Sequence, residues 1–66
     1  MEPKYPEIEV QLTGEDGNAF FIIGRVSKAL KRGGAKPEDI KAFSDKAMSG
    51  DYDNVLRTCM EYVNVE

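Results

Sequence analysis

The sequence predicts an α+β fold dominated by helices, with one N-terminal strand at about 7–13 followed by helices at about 18–33, 37–49 and 51–63. Three observations carry this. Polar and apolar residues alternate strictly from Glu7 to Thr13, the pattern of a half-buried strand. From Ala19 onward the apolar spacing changes to three and four, the period of a helix. Gly14, Gly17, the Gly33-Gly34 pair and Gly50 then divide the chain at the intervals where turns and helix ends belong.

In the strand, Ile8, Val10 and Leu12 fall on one face and Glu7, Glu9, Gln11 and Thr13 on the other. The run Gly14-Glu-Asp-Gly17 ends it with turn residues, and Asn18 is a good N-cap for a helix beginning at Ala19. Ala19, Ile22, Ile23, Val26, Ala29 and Leu30 form the apolar stripe of this first helix, which the Gly33-Gly34 pair should stop. A competing reading makes Asp16-Gly17 a hairpin turn and Asn18 to Ile23 a second strand. The unbroken stripe to Leu30 and the basic last turn weigh against it.

Pro37 suits a helix first position, and Glu38 and Asp39 complement the positive end of its dipole, with Ile40, Phe43 and Ala47 sharing a face. Asp51 can cap a third helix whose stripe is Val55, Leu56, Cys59, Met60 and Val63. The closing Tyr-Val-Asn-Val alternation is compatible with a short strand. A lone strand needs some such partner, since its main-chain groups must be paired, covered or solvated. Val63–Val65 and the same strand of a second subunit are the two candidates.

At 66 residues the chain is one small domain with a modest core. With Cys59 as its only cysteine it has no internal disulfide, so oligomerisation, most simply a homodimer, is the expected support. A single thiol without histidine cannot complete the usual zinc sets, and no cofactor motif is present. A lone thiol suits a reducing cytoplasm. The chain start carries no signal-peptide pattern, and the longest apolar run falls far short of the roughly 20 residues that cross a bilayer.

The stretch YPEIEVQLTGEDGNAFFIIGRVSKALKRGG, with the later SGDYDNVLRTCMEYVNVE, resembles a group of short uncharacterised proteins from bacteria and their phages or mobile elements. The resemblance spans nearly the whole chain. It implies a small intracellular protein with an accessory role in a phage or mobile element, and it brings no catalytic or binding residue with it.

Charge singles out the first helix. Residues 19–36 hold five bases and no acid, whereas the chain as a whole has 12 acids against 9 bases. Arg25, Lys28 and Arg32 are spaced to share a face behind Phe21, with Lys31 beside them. Such a stripe can hold phosphate groups or an acidic partner segment, or it can be an ordinary solvated face. Gly24 is out of place inside a helix; with Phe20 one turn back and Ser27 one turn on it forms a notch for close backbone approach, either by another helix of the chain or by a partner.

Other motifs fall short. The second and third helices invite a helix-turn-helix comparison, but from Gly50 onward Asp51, Asp53, Glu61 and Glu66 face a single base, Arg57, a surface that phosphate repels. Asp51-x-Asp53 lacks the remainder of a calcium loop, with Leu56 and Tyr62 where glycine and a carboxylate belong. Gly14-x-x-Gly17 lacks a phosphate-loop lysine. Cys59 lies on an apolar stripe with no histidine to activate it, so the chain reads as no enzyme. The expectation is a small protein-interaction or regulatory module, acting as an accessory or inhibitor. The alternative is a binder of anionic ligands, nucleotide or nucleic-acid backbone, through Phe21, Arg25, Lys28, Lys31 and Arg32.

Overall fold

A computed structural model of the chain describes residues 2–12 and 18–66. The elements run β1 (Tyr5–Val10), α1 (Ala19–Arg32), α2 (Pro37–Ala47), α3 (Tyr52–Tyr62) and β2 (Val63–Val65). Strand, helix, helix, helix is the predicted order, and the C-terminal alternation is indeed a strand. The proposed turn at 14–17 and Thr13 lie outside the described residues.

β1 begins two residues earlier than the alternation suggested and ends at Val10, short of the expected 13, yet the faces are as read: Ile8 and Val10 are buried, Glu7 and Glu9 exposed, and beyond the strand Gln11 is exposed and Leu12 half-buried. β2 pairs with it in parallel, Glu9 opposite Asn64 and Val10 opposite Val65. The three helices supply the crossover that parallel strands require. Leu12 N–H donates to the Glu66 carbonyl at 3.0 Å and Glu66 N–H to the Val10 carbonyl at 2.9 Å. The register slips between Tyr5 and Glu9. Pro6 sits there and has no N–H to give a ladder.

Asn18 caps α1 as expected, its side-chain oxygen accepting from the N–H groups of Phe20 (2.9 Å) and Phe21 (3.3 Å). This removes the hairpin alternative, since Ala19 to Ile23 are helical. Ile22, Ile23, Val26 and Leu30 are buried. The helix ends in a Schellman motif. Ala35 N–H bonds to the Leu30 carbonyl at 2.9 Å, Gly34 N–H to that of Lys31 at 3.2 Å, and Gly34 takes φ 87°, where a side chain is strained. Gly33 answers a different need: a Cβ there would stand 2.7 Å from Cγ1 of Ile8 and nearer still to its Cδ1.

Pro37 opens α2, and the helix closes at Ala47 rather than 49, with Met48 as C-cap. Asn54 reaches its end from α3, its side-chain amide donating to the carbonyls of Lys46 (2.8 Å), which also accepts from the Ser49 N–H and hydroxyl, and Ala47 (3.4 Å). Asp51 caps α3 through Oδ1, which accepts from Asn54 N–H at 3.0 Å. That helix covers 52–62, and its stripe differs from the expected one: Met60 is 54% exposed, while Thr58 is 1% exposed. Val55, Thr58, Cys59 and Tyr62 keep the i, i+3, i+4, i+7 spacing, and Met60 falls off that face. Thr58 is admitted because its hydroxyl donates to the Asn54 carbonyl at 2.7 Å.

All five elements contribute to one core of Ile8, Val10, Ile22, Ile23, Val26, Leu30, Phe43, Ala47, Val55, Cys59 and Val63. Phe43 is wholly buried and meets Tyr62 edge to face, with centroids 5.4 Å apart. A polar cluster ties the N-terminus to α2: Tyr5 hydroxyl donates to Asp39 at 2.5 Å, Lys4 Nζ pairs with the same carboxylate at 3.0 Å, and Lys36 N–H donates to the Tyr5 oxygen at 3.4 Å.

Candidate functional site

β1 and α1 leave a groove of about 620 Å³ between them. Glu9, Val10 and Gln11 form its strand wall; Phe21, Gly24, Arg25, Lys28 and Arg32 form most of the helix wall. One α1 face does this because these residues recur at intervals of three and four. The groove receives no residue of β2, so it lies on the side of β1 that β2 leaves open.

Strand alternation decides what that open side offers. The Val10 carbonyl and the Leu12 N–H are turned to β2, as their bonds to Glu66 show. The period of two therefore turns the N–H and C=O of Glu9 and Gln11 toward the groove. Among the described residues, neither main chain bonds to a turn, cap or helix.

The structure thus gathers four of the five proposed contact residues: Phe21, Arg25, Lys28 and Arg32 line one wall. Lys31 does not line it. Phe21 is 49% exposed, Lys28 and Arg32 are exposed, and Arg25 is half-buried. Lys28 and Arg32 make no ion pair among the described residues, where the cations so engaged include Lys4, Lys41 and Lys46. Glu9 is the groove's one acid among the described residues.

The notch resolves likewise. Phe20 and Gly24 line the groove and Ser27 does not. A Cβ at Gly24 would meet no atom of the described residues within 4 Å, so none of the described helices crosses there.

A second hollow of about 300 Å³ lies where Phe20 meets the end of α2 and the start of α3. Phe20, Met48 and Tyr52 are its exposed apolar members, at 76, 52 and 43%. Nothing in the sequence pointed to it, because its residues come from three different helix ends and share no period.

Cys59 and Asp39, outside the groove, are committed to structure. Burial pushes the Cys59 thiol up to about 11, so it is protonated at neutral pH. Tyr5 and Lys4 hold the Asp39 carboxyl below the usual carboxylate range. No helix among the described residues is long and apolar enough to cross a membrane. No protein-family model matches the chain, and no curated protein or solved structure was found similar to it.

Proposed function

We propose that the chain is a small non-enzymatic binding module that recognises a protein partner through the groove between β1 and α1. The observation that carries this is the coincidence, in one concavity, of a strand edge that no described residue pairs, an exposed phenylalanine and the Lys28 and Arg32 cations. The side chains at hand suit binding: the groove offers guanidinium, ammonium, amide and phenyl groups with the single Glu9 carboxylate, and the one thiol faces the core. Occupying a partner's surface suits an accessory or inhibitor of a phage or mobile element, working in a reducing cytoplasm where a lone thiol is safe.

A second reading, binding of nucleic-acid backbone or nucleotide, is favoured by Arg25, Lys28 and Arg32 standing on one wall. A homodimer would answer two needs, a small core and an unpaired strand, and β2 meets part of the second within the chain.

Affinity capture from bacterial lysate separates these. Wild type and a Lys28→Glu/Arg32→Glu variant are compared at low and high salt, with and without nuclease. The proposal expects a protein that survives nuclease and is lost with the variant. Capture abolished by nuclease selects the second reading, and equal capture by the variant moves the binding surface elsewhere.

A further inference from the structure

We infer that the groove takes an extended acidic segment of the partner, added to β1 as a third strand. This deepens the binding-module reading and rests on it. Main-chain groups of Glu9 and Gln11 face the groove and ask for a ladder of amides, which only a polypeptide supplies. A nucleic-acid strand has no such ladder.

The helix wall fixes the character of the added strand. Lys28 and Arg32 stand about 6 Å apart along the helix axis. Alternate residues of an extended chain recur at about 6.6 Å, so two carboxylates on one face of the segment fall opposite these two cations. Phe21, farther toward the helix start, calls for an apolar residue on that same face. Between them Gly24 presents bare backbone, and the segment's own backbone fits closely there because no Cβ intervenes.

A second copy of the chain is the poorer occupant. A two-fold axis joining β1 to its own copy would bring the two α1 walls together, setting Lys28 and Arg32 near the same two cations. The charge of the groove selects an acidic stranger over a twin.

The test is panning of a random dodecamer peptide library on the immobilised full chain, with oligothymidylate as a competing probe. Selected peptides are then titrated into isotopically labelled protein and read by amide shifts. The inference expects acidic residues at alternate positions, shifts at the Glu9 and Gln11 amides, and affinity lowered about tenfold or more by Gly24→Ala. Lys28→Ser/Arg32→Ser should weaken binding by a similar factor. Peptides that shift Lys28 and Arg32 but not Glu9 and Gln11, and that tolerate Gly24→Ala, overturn the added strand and leave the binding groove standing. Oligothymidylate producing the same shifts overturns the polypeptide occupant. No enrichment, or shifts confined to another face, overturns both the inference and the reading beneath it.

Discussion

Glycine inside a helix is less favourable than alanine by about 1 kcal/mol, and Gly24 has no packing neighbour among the described residues to account for its presence. Gly24→Ala should therefore stabilise the free protein by about 0.5–1 kcal/mol in urea unfolding. A loss of stability would mean that the chain itself uses the notch. Tyr5 and Asp39 give a second prediction at this scale. The Tyr5 hydroxyl, then Lys4, hold the Asp39 carboxyl down, although its side chain keeps 15% of its exposure. A carboxyl depressed on folding contributes stability that is present above its unfolded value of about 4 and is lost as pH falls through its folded value. The Tyr5 and Lys4 values are raised by the same contacts, so their share is present at neutral pH and lost as pH rises through their folded values. Tyr5→Phe should lift the Asp39 titration toward the ordinary range and flatten the acid arm of the stability profile, the first followed by NMR and the second by urea unfolding across pH. An unchanged Asp39 titration would detach the carboxyl from the hydroxyl.

At the scale of elements, the α1 stripe is the test of the core. Val26 is wholly buried, and Val26→Asp would leave a charge without a partner; with only about 3–10 kcal/mol expected for a chain of this size, circular dichroism should show loss of the fold. Val10→Pro should be nearly as damaging, because the Val10 main chain is turned to β2 within the chain. Wild-type helicity in either variant would contradict the packing described. Helix starts and the α1 stop were legible in advance where a cap has a chemical signature: Asn18, Pro37, Asp51 and the Gly33-Gly34 pair. What escaped was decided by partners far away in sequence or by a local bond that spacing does not reveal. Thr58 displaces Met60 from the core because the Asn54 carbonyl satisfies its hydroxyl, and α2 stops at Ala47 with its last carbonyls met by Met48, Ser49 and, from another helix, Asn54. The slip of β1 on β2 falls where Pro6 has no N–H to give, but which strand Pro6 would face could not be read from β1 alone.

For the whole molecule, the basic face of α1 was legible from spacing, and so was its aromatic head; that it forms a wall opposite β1 was not, since only the packed chain puts Glu9 and Gln11 across from Lys28 and Arg32. Everything proposed for this wall depends on its facing a strand edge that is still open in the free protein. Amide hydrogen exchange of the isolated chain tests that most directly, over a range of dilutions. Leu12 N–H, bonded to the Glu66 carbonyl, should be protected, while Gln11 N–H beside it should exchange freely at every dilution. Protection of Gln11 equal to that of Leu12 would show the edge already covered and would contradict the open groove.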